Sequence, residues 1–321
     1  MMHNMNQEFL RKDYVSTMHT QIGGLMPILA TPFTNSGGLD VAGLRAIVDF
    51  QLQSAVQAVA VFGMASEGFA LTRDERRQIL AVVREVTAGA IPIVAGVNGT
   101  STATAIEQAR EAEAGGADVL MVLPPFMVKP PAGTLVEFYG DVASATTLPV
   151  MVQDAPGMTG VAMPVSLIAD LSRLAGVTSV KVEAPPTIPK VQAVAAAVEP
   201  GFAILGGQNA QFCLDEYDRG SVGTMPACEF SDLLAPVLAD WELGLREDAR
   251  EEFGRLLPLI LFGLQPGLAW AVHKEVLVAR GLIDSAFVRY PASPIDDRAR
   301  HSLAEVLEQL SLPILSRTAS L

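Results

Sequence analysis

Short apolar, β-rich runs recur along this chain, and each leads into a stretch with helical periodicity. They are Leu25–Thr31, Ala58–Gly63, Ile91–Gly96, Ala117–Leu123, Leu148–Gln153, Val177–Glu183, Phe202–Gly206 and Gly220–Met225. Side chains in a strand alternate between two faces, so a run that is apolar at nearly every position has both faces covered. Eight such strand–helix units predict an α/β fold with a parallel sheet between helices. Closed on itself, the sheet is a (β/α)8 TIM barrel; left open, it is a doubly wound sheet. Past Pro226 only helical pattern remains, at about Ser231–Trp241, Arg246–Phe262, Gly267–Arg280 and Arg298–Leu310. The expected organisation is therefore a leader or tag over residues 1–22, a barrel core over 23–230, and the last barrel helix with a C-terminal helical extension over 231–315.

Local signals set several helix ends. Thr72-Arg-Asp-Glu75 is a capping box, in which the hydroxyl and the carboxylate each satisfy an orphan amide. Gly115-Gly116 stops the helix starting near Thr102, and Pro164 suits the first turn of the next. Lys plus Arg number 22 against 35 Asp plus Glu, a net charge of −13. That balance disfavours nucleic acid and anionic membrane surfaces as partners. Cys213 and Cys228 have no metal spacing and four scattered histidines form no cluster, so no metal is expected and a reducing cytoplasm fits. No apolar run is long enough to span a membrane, and the first 22 residues lack the apolar stretch of a signal peptide.

Chemistry in a barrel gathers at the C-terminal ends of the strands. The sixth run, Val177-Thr-Ser-Val-Lys-Val-Glu183, puts Ser179, Lys181 and Glu183 on one face and Val180 and Val182 on the other. An amine and a carboxylate sharing a buried face is either an ion pair that fixes the sheet or a Schiff-base lysine with its acid/base partner. Gly63-Met-Ala-Ser-Glu67 ends the second run; its amides can wrap a carboxylate, or it is a plain tight turn. Gly206-Gly207, followed by Gln208 and Asn209, permits close approach of a ligand, or is likewise only a turn.

Taken together, Pro27-x-x-x-Thr-Pro-Phe33, Gly63 to Glu67, Gly96, Pro124-Pro125 with Lys129-Pro130, Pro156-Gly-x-Thr-Gly160 and Lys181 resemble the dihydrodipicolinate synthase/N-acetylneuraminate lyase family. The resemblance runs from about Gly23 to about Leu310. It implies a homotetrameric barrel, a dimer of dimers, in which the lysine matching Lys181 forms a Schiff base with a 2-keto acid. It also places the acid's carboxylate on the amides of Ala65 and Ser66. Several family groups are replaced: Gln153 stands for a proton-relay tyrosine, Met158 for a carboxylate-binding arginine, and Phe126-Met127 for an aromatic pair. Dihydrodipicolinate synthesis needs those groups and is rejected; sialic acid cleavage is disfavoured.

A Lys-x-Glu strand with a Gly-Gly-x-Asn loop is similar to the 2-keto-3-deoxy sugar acid dehydratases, in particular the L-2-keto-3-deoxyarabonate branch. That likeness implies a cofactor-free hydro-lyase of carbohydrate metabolism with Lys181 and Glu183 catalytic. Ala65, Ser66, Gln153, Gly207 and Asn209 would bind the substrate, Asn209 through its hydroxyls. The alternatives are a pyruvate-releasing class I aldolase, which needs a base for the C4 hydroxyl, and a non-catalytic 2-keto-acid-binding barrel.

Overall fold

The computed structural model describes residues 22–315. The expected leader lies outside the described residues except for Ile22, which is buried among the inward-facing residues of the barrel and so belongs with it.

Eight parallel strands form one sheet: β1 Gly24–Leu25, β2 Val59–Val61, β3 Ile93–Val97, β4 Val119–Val122, β5 Val150–Asp154, β6 Val177–Val182, β7 Ala203–Gly206 and β8 Gly223–Thr224. Each strand from β2 to β8 pairs with the next, and β8 pairs with β1. The gap between β1 and β2 is spanned by a bridge from Ile28 to Ala60, with Leu29 N–H donating to Ala60 O at 2.8 Å and Ala60 N–H to Pro27 O at 2.9 Å. The ring closes, and the doubly wound alternative falls away.

The first run is a strand for only two residues. Pro27 has no N–H to give a ladder, so the chain makes bridges at Ile28, to Ala60 on one side and Ala227 on the other. The last strand is cut short at Pro226 in the same way.

Alternation divides the buried residues into two sets. Met26, Ile28, Ala60, Val94, Met121 and Met151 fill the interior of the barrel. Val59, Val61, Val122, Val152, Val180 and Val182 face the helices. Each valine so buried contributes about 1.5–3 kcal/mol. The capping box is present as expected, Asp40 adds a cap not foreseen, and Pro164 stands just before its helix instead of in its first turn. Thr72 and Glu75 form the reciprocal box ahead of Arg73–Thr87, and Asp40 caps Val41–Gln53. The helix after Pro164 runs Val165–Leu171, short of the end near Leu174 that its pattern predicts, and a four-residue helix, Pro156–Thr159, precedes it.

Beyond the barrel run Ser231–Glu242, Arg246–Phe262, Ala269–Ala279 and Asp297–Leu310. The third of these lies against the turn after β2, where Trp270 Nε1 donates to Met64 O at 2.6 Å. Among the described residues no helix is long and apolar enough to cross a membrane.

Candidate active site

In register, Gln153 of β5 stands beside Lys181 of β6, and Lys181 beside Leu205 of β7. All three point into the barrel. Glu183 lies one residue past the end of β6, but its N–H donates to Asp154 O at 2.9 Å, so the extended backbone and the alternation continue. Its side chain turns inward as well. Lys181 Nζ is 3.0 Å from Glu183 Oε1, and Gln153 Nε2 donates to Glu183 Oε2 at 2.7 Å. The carboxylate is held between an ammonium and an amide, both almost wholly buried.

Gly207 has a different partner from the one expected. A Cβ at this position would overlap Glu183 Cγ and lie 2.8 Å from Oε1, so its missing side chain makes room for Glu183. The next residue, Gln208, donates from Nε2 to Glu183 O at 2.8 Å. Gln208, Asn209 and Ala210 all have positive φ, 49°, 53° and 62°, a left-handed turn that costs roughly 1–2 kcal/mol per residue. What it secures is position: Gln208 ties to the backbone just past β6, while Asn209 ties to two other segments. Asn209 Nδ2 donates to Ile260 O and its Oδ1 accepts from Ala227 N–H, both at 3.0 Å.

These residues line a cavity of about 430 Å³ between the mouth of the barrel and the segment Gly263–His273. Lys181, Glu183, Ala65, Gln208 and Asn209 open on it; Ser66, Gly207 and Gln153 do not line it, and Gln153 reaches it only through its bond to Glu183. Ser66 is buried, its N–H donates to Gly63 O at 3.1 Å, and its hydroxyl has no hydrogen-bond partner among the described residues. Thr31 Oγ1 donates to Ser66 O at 2.6 Å and so fixes the turn from the β1 side.

The same turn is tied to the C-terminal helices. Glu67, with φ at 52°, pairs with Lys274 and accepts from Arg289 N–H at 2.8 Å. Burial lowers Lys274 to about 8, opposed by the Glu67 charge. Arg289 also forks onto Glu75, at 2.6 Å and 2.8 Å, and through that hydrogen-bonded pairing holds the Glu75 carboxyl down to about 2. The extension thus fixes the shape of the turn beside Lys181.

Behind the sheet, burial raises two more carboxyls. Asp154 pairs with Lys190 at 2.6 Å, and Glu216, buried and accepting from Thr187, is pushed up to about 7. Neither lines the cavity.

Sequence reasoning missed Trp270, His273 and Glu229. His273 and Trp270 line the cavity, and His273 Nδ1 sits 2.7 Å from Glu229 Oε1. Nothing local marks them: Trp270 and His273 come from the extension, Glu229 from just before it, and they meet at the site only through tertiary packing.

Residues 21–310 match the dihydrodipicolinate synthetase family. The chain belongs to this family. It is 30% identical over 304 residues to L-2-keto-3-deoxyarabonate dehydratase of Azospirillum brasilense, covering 92% of this chain and 96% of that protein. A family member from Methylococcus capsulatus, 4-hydroxy-tetrahydrodipicolinate synthase, is 33% identical over 60% of this chain and 67% of its own length. Among solved structures, dihydrodipicolinate synthase from Thermotoga maritima superposes with a TM-score of 0.86 at 26% identity, covering 91% of this chain and all of that one (100%).

Proposed function

We propose that this family member is a Schiff-base hydro-lyase acting on a 2-keto-3-deoxy sugar acid, best fitted by L-2-keto-3-deoxyarabonate. One observation carries the reading: the Glu183 carboxylate is held within 3.0 Å of Lys181 Nζ by a group, the Gln153 amide, that cannot itself titrate. Lys181 attacks the C2 ketone and expels water to give an iminium. C3 of that adduct is two bonds from Nζ, so a carboxylate beside Nζ reaches its acidified proton. Glu183 takes the C3 proton and the enamine forms. Glu183 then gives the proton to the departing C4 hydroxyl, which leaves as water. Tautomerisation of the conjugated product and hydrolysis of its imine free Lys181 and, from a five-carbon acid, release 2-oxoglutarate semialdehyde. The net change is the loss of one water, so no redox partner or organic cofactor enters.

In this reading the substrate carboxylate rests on the turn at Ala65, which opens on the cavity, while Ser66, its N–H engaged by Gly63 O, shapes that turn, and Gln153 orients Glu183. A pyruvate-releasing aldolase needs a base for the C4 hydroxyl proton, and the amide of Gln153 is no base. The homotetramer implied by the resemblance and a cytoplasmic setting go with the reading. Exposed Met127 and Val128 offer apolar surface for assembly, and a sedimentation mass of one chain would remove the tetramer.

The test is borohydride reduction with a panel of 2-keto-3-deoxy aldonates, followed by mass mapping and ultraviolet detection of the semialdehyde. An adduct on Lys181 together with water loss is expected. Pyruvate and an aldehyde without water loss would mean the aldolase, and no adduct would mean a non-catalytic barrel.

A further inference from the structure

The cavity continues past Lys181 and Glu183 to a wall built by the C-terminal extension, and most polar side chains on it are already engaged. Gln208, Asn209, Gln265 and Trp270 each give a side-chain N–H to a backbone carbonyl, those of Glu183, Ile260, Phe262 and Met64. His273 differs. Its Nδ1 is 2.7 Å from Glu229 Oε1, and its Nε2 has no hydrogen-bond partner among the described residues. The imidazole lines the cavity and is 4% exposed.

Glu229 decides what Nε2 can do. A buried carboxylate accepts only, so Nδ1 carries a proton. Nε2 is then an acceptor in the neutral ring and a donor in the imidazolium. A hydroxyl group, donor and acceptor at once, satisfies either state. Carboxylate–imidazole pairing also fixes the ring's orientation, as it does for histidines that must present one nitrogen.

The backbone around the pair is shaped to admit it. The helix Arg246–Phe262 ends at Gly263, where a Cβ would lie 2.8 Å from His273 Cε1 and 3.0 Å from Asn209 Nδ2. Asn209 and His273 therefore meet at one point of the wall, and any larger residue at 263 would push into them.

We propose that His273, oriented by Glu229, hydrogen-bonds a hydroxyl on the distal carbons of the bound 2-keto acid and so sets the cavity's preference for hydroxylated chains. The inference rests on the Schiff-base reading above, which anchors the keto end of the substrate at Lys181. His273 is a specificity-determining residue here, and Glu229 positions it.

The test compares His273→Asn with the wild-type protein. Asn keeps a donor where Nδ1 stood, so Glu229 stays paired, and removes the Nε2 end. Half-saturation of borohydride trapping is measured with 2-keto-3-deoxypentonate, with 2-oxovalerate, which has the same chain without hydroxyls, and with pyruvate. The expected result is about tenfold weaker trapping of the pentonate, with 2-oxovalerate and pyruvate within twofold of wild type. His273→Gln, whose amide reaches where Nε2 stood, should restore part of the difference. Equal weakening for all three acids would assign the pair a purely structural role and overturn the proposal, as would no change for any. A wild-type protein that traps none of the three removes the Schiff-base reading and takes this inference with it. Trapping and dehydration intact in wild type, with unchanged discrimination in His273→Asn, removes only the inference.

Discussion

Gly207→Ala tests whether Glu183 must stand where it does, without altering Lys181 or Glu183, the two groups the proposed mechanism uses. The added methyl would overlap Glu183 Cγ and come within 2.8 Å of Oε1. Cγ sits one bond from Cβ, so it escapes only by a change of χ1, which swings the whole carboxylate away. The swing breaks the 2.7 Å bond from Gln153 Nε2 and the 3.0 Å pairing with Lys181 Nζ. A hydrogen bond to a charged group contributes about 1.5–3 kcal/mol, so the old position cannot be regained cheaply. If Glu183 moves the C3 proton, dehydration should slow by about 10²–10⁴, equivalent to about 3–5 kcal/mol of barrier. Formation of the imine needs Lys181 and not the proton shuttle, so borohydride trapping with pyruvate should remain within a few-fold of wild type. The assay is single-turnover semialdehyde formation beside trapped-adduct yield, with Glu183→Gln as reference. Wild-type dehydration in Gly207→Ala would refute the reasoning. Equal loss of trapping and dehydration would refute it too, since it would mean that the whole site had shifted.

Two further outcomes follow from buried charge. Glu216 is raised from the ordinary carboxylate range to about 7 by burial, so the folded state holds its proton more tightly than the unfolded chain does. Its contribution to stability is present below about pH 4.5 and is lost as pH rises through about 7, by about 3 kcal/mol in all. Urea unfolding of Glu216→Gln should show that loss removed, making the variant at least as stable as wild type at pH 8.5; a less stable variant there would contradict it. Lys274→Met leaves Glu67 as a buried charge without its ammonium partner. It should cost about 3–5 kcal/mol in denaturant unfolding and weaken pyruvate trapping through the loosened turn; an unchanged midpoint would show that the Arg289 N–H bond suffices.

The eight apolar runs, the capping box at Thr72 and the alternation through Val177–Glu183 were all determined by the sequence itself, because period-two patterning and first-turn hydrogen bonds act over a few residues. Lys181 and Glu183 share a face for that same local reason, and Glu183 keeps it even though the strand ends at Val182. Pro27 shortened β1 for a reason equally visible in the chain, its missing N–H. The tertiary structure alone decided that the sheet closes through Ile28 and Ala60, that Gln153 lands against Glu183, and that Gly207 is empty to admit Glu183. It also decided that Trp270, Lys274 and His273, some 90 residues after β6, form the far wall of the cavity beside it and the brace of the turn after β2. Spacing along a chain sets which way a side chain points; which other side chain it meets depends on how distant segments close a ring and pack across its mouth, and no local pattern encodes that distance.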